Sequence, residues 1–178
     1  MRVIAGHLKG REFKTPHSHN THPMSDKVRG AMFNVLGDIE GLTFLDAFAG
    51  SGALAIESVS RGAESVIAID KDNAAHRIIE QNIKELHLSP QIKAVKASAG
   101  GWSMHNMEKK FDVVILAPPY DNLQEVLLKK LAKRHVKQNG LLVLDWPGKQ
   151  KPVDFEKFDV AAQKIYGDAQ LVFYRKRA

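Results

Sequence analysis

Asp46, the turn Gly50-Ser51-Gly52 and Asp70 have the residue types and spacing to bind a nucleoside that carries a positive charge. In LDAFAGSGALAIE (45–57), a buried strand closes at Asp46, and Ala49, Gly50, Ser51 and Gly52 make a tight turn. Ala53 to Val59 then start a helix. Glycines in such a turn let the backbone approach a ligand, and the new helix points unpaired N–H groups at it. A second strand, SVIAID, ends at Asp70, where an acid can hydrogen-bond ribose hydroxyls. The loop is neither the GxGxxG of dinucleotide proteins nor a P-loop, which needs a Lys-Ser/Thr pair opening the helix. An acid just before the glycines suits a cationic ligand better than a pyrophosphate. The set therefore points to S-adenosylmethionine.

FDVVILAPPYD (111–121) is the second chemical signal. A buried strand runs into Ala117-Pro118-Pro119-Tyr120. Ligands of open parallel sheets sit at the carboxyl ends of strands, so this loop is expected to face the ligand of the glycine turn. Consecutive prolines fix where the backbone carbonyls point, and Tyr120 offers a flat face for a base.

The elements that must position these groups alternate from Leu42 onward. Strands are expected at TFLDAF, SVIAID, QIKAVKA, FDVVILA, GLLVLDW, FDVAAQKIY and AQLVFYR, with helices at about 52–61, 72–87 and 122–137. Residues 98–110 are too irregular to assign. The alternation implies a mostly parallel sheet covered on both faces, and the turn at Gly167-Asp168 makes the last two strands an antiparallel hairpin. Residues 1–40 differ. RVIAG and REFKT read as a short hairpin, PHSHNTHP as a polar loop, and Ser25 or Asp26 as the cap of a helix to Leu36. The apolar face of that helix is read as Val28, Met32, Val35 and Leu36. The expected division is a 1–40 extension and a 41–178 α/β domain.

At 178 residues with 44% hydrophobic content, one globular domain with an appendage is expected. The absence of cysteine excludes disulfides and thiolate chemistry. No apolar run reaches membrane-span length, and the N-terminus lacks the apolar core of a signal peptide, so a cytoplasmic protein is expected. HSHNTH has no carboxylate or thiol partner at ligand spacing, so no metal is expected. The net charge of +6 favours a polyanionic partner. KKLAKRHVK (129–137) carries five cations and no acid, which suits either a solvated helix face or phosphate contacts.

Taken together, RVIAGHLKGREFKTP, THPMSDKVRGAMFNVL, DAFAGSGALAIESVSRGA and ILAPPY resemble the RsmD-type family of bacterial 16S ribosomal RNA guanine-N2 methyltransferases. The resemblance runs from Arg2 to Tyr174. The N-terminal part distinguishes it from DNA adenine and protein glutamine methyltransferases that share the PPY-type loop. It implies a Rossmann-like methyltransferase fold of seven strands with an antiparallel last strand, and a monomer acting on 16S ribosomal RNA or the 30S subunit. The cofactor S-adenosylmethionine would meet Asp46, Phe48, Ala49, Gly50, Ser51, Gly52, Asp70 and Lys71, with Ser98 and Ala99 near the adenine. Ala117, Pro118, Pro119 and Tyr120 would form the catalytic loop. RNA contacts are expected from Arg2, Lys9, Arg11, Lys14, His22, Lys27 and Arg29.

The family pattern has Asp where this chain has Ala117, Arg where it has His22, and an Asp-Ala pair where it has Ser98-Ala99. An exocyclic amine must pyramidalise and become cationic to attack a methyl group. Acceptors on its N–H groups hold it and stabilise that charge. Ala117 leaves only main-chain carbonyls in the loop. Two further readings follow: a non-catalytic RNA-binding or ribosome-assembly homologue, and a DNA adenine-N6 methyltransferase.

Overall fold

The structure is a computed structural model that describes residues 1–17 and 24–178. His22, expected to contact RNA, lies outside the described residues. Two compact units are present, Met1–Ala99 and Gly100–Ala178.

The first unit opens with the expected hairpin, in minimal form. The Val3 amide donates to the Arg11 carbonyl (2.9 Å) and the Phe13 amide to the Met1 carbonyl (2.9 Å), but only Arg2 and Glu12 form a ladder bridge. Helix α1 (Asp26–Leu36) starts at Ser25, whose hydroxyl accepts from the Val28 amide at 3.2 Å. Its buried face is Arg29, Met32 and Phe33, so of the expected stripe only Met32 is buried; Val35 is 37% exposed. Strands β1 (Thr43–Asp46), β2 (Ser65–Asp70) and β3 (Ile92–Lys96) pair in parallel, with β2 in the middle. Between them run α2 (Ala53–Ser60) and α3 (Asn73–Glu85). Every residue of α2 is buried, which its run of small and apolar side chains permits. Helix α3 is amphipathic, burying Ala75, Ile79 and Ile83, and is capped by the Asp72 carboxylate on the Ala75 amide at 2.8 Å.

In the second unit, α4 (Ala99–His105) forms where the sequence looked irregular. Packing overrides its two glycines: Trp102 and Ser103 are buried, and the Trp102 ring lies 5.1 Å from His135 and 6.2 Å from Phe111. Strand β4 (Phe111–Leu116) and helix α5 (Glu125–His135) follow. Strand β5 (Val136–Pro147) begins four residues before the expected Gly140, directly at the end of α5. The polar VKQN segment hid this start: Asn139 has φ 61°, and the β4–β5 register shifts between Phe111 and Val113. Strands β6 (Phe158–Tyr166) and β7 (Ala169–Lys176) form the expected hairpin. β4 and β5 are parallel, while β7 is antiparallel to both β5 and β6. Parallel strands linked by helices, with a reversed last strand, are the α/β pattern the sequence predicts.

His135 is an inward anchor of α5. It has no exposed surface; one ring nitrogen lies 2.7 Å from the Ser103 hydroxyl and the other 2.7 Å from the Lys109 carbonyl. Burial pushes its pKa down, so it stays neutral.

Candidate active site

The first unit gathers Asp46, the glycine turn, Asp70 and Ser98 at the carboxyl ends of β1, β2 and β3. The Ala49 amide donates to the Ile69 carbonyl (2.8 Å) and the Gly52 amide to the Ala49 carbonyl (2.8 Å), which closes the glycine turn against β2. Gly52 sits at φ 79° as the cap of α2, and a Cβ there would meet Ile79 at 3.3 Å. The positive φ favours glycine here, and a Cβ would also press on the Ile79 side chain. Asp70 ties the loop in place. One carboxylate oxygen accepts from the Gly50 amide (2.8 Å) and the other from the Asp72 amide (2.9 Å). The Ala97 amide donates to the Asp70 carbonyl at 3.2 Å, which brings Ser98 and Ala99 beside it. Lys71 and Ser98 are exposed, Phe48 is half-buried, and Ala49, Ser51 and Ala99 are buried.

Asp46 is the electrostatic centre of this cluster. It is 1% exposed, and neither carboxylate oxygen has a hydrogen-bond partner. Burial and the neighbouring Asp70 charge push its pKa up to about 7; the Phe48 amide, which approaches the carboxylate without reaching hydrogen-bond geometry, offsets only part of this. A buried carboxylate without a partner suits a cationic ligand group such as an ammonium.

In the second unit, Ala117, Pro118, Pro119 and Tyr120 follow the end of β4. Pro118 is buried, and Tyr120 is 43% exposed. The Tyr120 hydroxyl donates to an Asp145 carboxylate oxygen at 2.6 Å and lies 3.2 Å from the Trp146 carbonyl. Burial and the Asp145 acceptor push the Tyr120 pKa well above its ordinary value. Burial also raises the Asp145 pKa, against the hydrogen bond from Tyr120. Sequence reasoning missed Asp145. Its signal was an acid directly after an apolar run, LLVL, as Asp46 and Asp70 follow theirs.

The basic residues separate into two sets. Arg2, Lys9, Arg11, Lys14 and Lys27 are exposed, and Lys14 pairs with Glu85 at 2.9 Å. Arg29 corrects its expectation. It is 0% exposed, 3.7 Å from Glu57, and donates to the Arg2 carbonyl at 2.7 Å, so it has no surface to offer RNA. Glu57 was also missed: an acid inside a helix of small and apolar residues. On α5, Lys129 pairs with Glu125 (3.1 Å) and Arg134 donates to the Ser103 hydroxyl (3.1 Å), while Lys130 and Lys133 are exposed. Among the described residues, no three His, Asp or Glu side chains gather as a metal site, and no helix is long and apolar enough to cross a membrane.

Residues 1–175 match the family described as "Conserved hypothetical protein 95". YlbH of Bacillus subtilis (strain 168) is 32% identical over 184 residues, covering 99% of this chain and 100% of its own length. Ribosomal RNA small subunit methyltransferase D of Haemophilus influenzae is 29% identical over 180 residues, covering 98% of this chain and 92% of that protein. The solved structure of Escherichia coli yhhF superposes with a TM-score of 0.88 at 25% identity, covering 100% of this chain and 98% of that one. The fold is the Rossmann-like fold of methyltransferases, and the chain belongs to the RsmD-type methyltransferase family.

Proposed function

We propose that this chain transfers a methyl group from S-adenosylmethionine to the exocyclic N2 of a guanine in 16S ribosomal RNA, acting as a monomer on the 30S subunit in the cytoplasm. The observation that carries the reading is Asp46, a buried, unpartnered carboxylate directly before a glycine turn that Asp70 holds shut. Bound there, S-adenosylmethionine supplies an electrophilic methyl group on a sulfonium, so no metal or protein nucleophile is needed. Asp46 would hold the amino-acid end, Asp70 the ribose, and Ser98 and Ala99 the adenine edge. The Ala117–Tyr120 loop would hold the flipped guanine, with main-chain carbonyls beside Pro118 accepting from its amino group.

Radiolabelled methyl transfer into 30S subunits, naked ribosomal RNA and duplex DNA tests this directly. The expected product is N2-methylguanosine in small-subunit RNA. Label in duplex DNA adenine, or none in any substrate, overturns the reading. The absence of label with retained RNA binding would select the non-catalytic assembly factor, the reading that Ala117 favours.

RNA is expected to dock on the exposed cations of the N-terminal extension. Replacing Arg2, Lys9 and Arg11 together with alanine should weaken RNA binding about tenfold or more at physiological salt. The log-log salt slope should flatten by about 0.7–0.9 for each phosphate no longer neutralised. Cofactor affinity should stay the same. Filter binding from low to physiological salt measures both quantities, and an unchanged slope would exclude the extension as the RNA platform.

A further inference from the structure

Asp145 occupies a place that the loop motif leaves vacant in this chain. β4 and β5 are parallel neighbours, with Leu116 paired to Leu144. Ala117 is the first residue past β4 and Asp145 follows Leu144 within β5, so each lies one residue beyond the last paired position and would be level if that register carries on by one step. Level residues on parallel neighbours face the same side of a sheet, with strands about 4.8 Å apart. On that register, a carboxylate at 145 stands one strand away from where a carboxylate at 117 would stand, and on the same side. It also touches the loop itself: one of its oxygens accepts from the Tyr120 hydroxyl at 2.6 Å. A carboxylate has about four lone-pair directions, so one hydrogen bond leaves acceptor capacity.

We propose that Asp145 supplies, from β5, the carboxylate acceptor for the target amino group that position 117 lacks. The proposal rests on the methyl-transfer reading above. The carboxylate accepts an N–H of the amine as its nitrogen becomes cationic on forming the N–CH3 bond while the sulfonium S–CH3 bond breaks. The extra proton then leaves to the carboxylate or to water. Tyr120 fixes the carboxylate in place during this step.

Single-turnover and steady-state methyl transfer to 30S subunits should be compared for the parent, D145A, D145N, Y120F, A117D and the A117D/D145A pair. S-adenosylhomocysteine affinity and the thermal midpoint serve as controls. D145A is expected to lower kcat about 100- to 1,000-fold, the usual loss of one preorganised partner at a reacting centre. KM and S-adenosylhomocysteine affinity should change less than about threefold, because the acceptor acts mainly in the transition state. D145N keeps the shape and an acceptor for Tyr120, and is expected to lose at least about tenfold. Y120F, which removes only the hydroxyl, should lose less than about tenfold. A117D should gain little in the parent but recover at least about tenfold in D145A. Equal losses in D145A and Y120F would make Asp145 a positioning residue only and overturn the proposal. So would full activity in D145A, or no rescue by A117D. A parent inactive on every RNA substrate would overturn the methyl-transfer reading and this proposal together; an active parent with an equally active D145A overturns this proposal alone.

Discussion

Asp46→Asn is expected to make the ligand-free protein more resistant to unfolding above pH 7 and to weaken S-adenosylmethionine binding at least about 100-fold. Both effects come from one buried carboxylate without a partner. Its pKa is about 7 in the folded protein against 3.8 ordinarily, so the folded state holds the proton more tightly than the unfolded state does. Stability from this group is fully present below pH 3.8 and is lost as the pH rises through about 7. The whole shift corresponds to about 4 kcal/mol at most, and the part between pH 5 and pH 8 to about 3 kcal/mol. The parent should therefore lose stability over that interval relative to Asp46→Asn in denaturant titrations. A cationic ligand group reverses the balance by favouring the ionised form. Binding at pH 6 should then release close to one proton, detectable by calorimetry in buffers of different ionisation enthalpy. Equal affinity in Asp46→Asn, or no proton release at pH 6, would show that no cation is held there.

Glu57→Ala should lower stability by about 3–5 kcal/mol, the usual cost of breaking a buried ion pair from one side. The carboxylate is 1% exposed and accepts from the Ile4 amide (3.0 Å), the Ala5 amide (3.0 Å) and Arg61 Nε (2.8 Å). It also faces the buried Arg29, whose Nε and Nη1 have no hydrogen-bond partner of their own. Alanine would leave the Ile4 and Ala5 amides without their acceptor and take from the buried Arg29 its buried counter-charge, leaving it the Arg2 carbonyl and the exposed Asp26 carboxylate. For a chain of this size the loss corresponds to a fall of roughly 6–20 °C in melting temperature. Arg29→Met in the Glu57→Ala background should recover part of the loss, because it removes the stranded charge. A single-mutant loss below about 1 kcal/mol would mean that the carboxylate does not hold the extension down.

Strands β2 and β6 are legible to the residue because runs rich in Val, Ile and Ala end at clear acid or turn signals. Asp46, the glycine turn and Asp70 are legible for the same reason: function and local conformation need the same residue types there. Helix α4 and the start of β5 are not, since each depends on partners distant in sequence that outweigh local propensity. Arg29 was misread because charge suggests exposure, whereas its position three residues before Met32 places it on the buried face of α1. Glu57 and Asp145 look like ordinary acids in sequence. Only the fold shows that one meets three donors and a buried guanidinium and that the other accepts from Tyr120 of the proline loop.

Asn82 joins two regions usually considered apart. Its buried side-chain amide pairs with the Lys14 backbone in both directions, at 2.8 Å each, and also donates to the Ser51 carbonyl at 3.3 Å. One amide thus splints the N-terminal extension to the glycine turn, as a rung of a ladder would. Motion in either segment must be shared by the other or break this link. If RNA steadies the extension, it lowers the entropy still to be lost when the turn closes on its small ligand. Thermodynamic reciprocity then requires the small ligand to tighten RNA by the same factor.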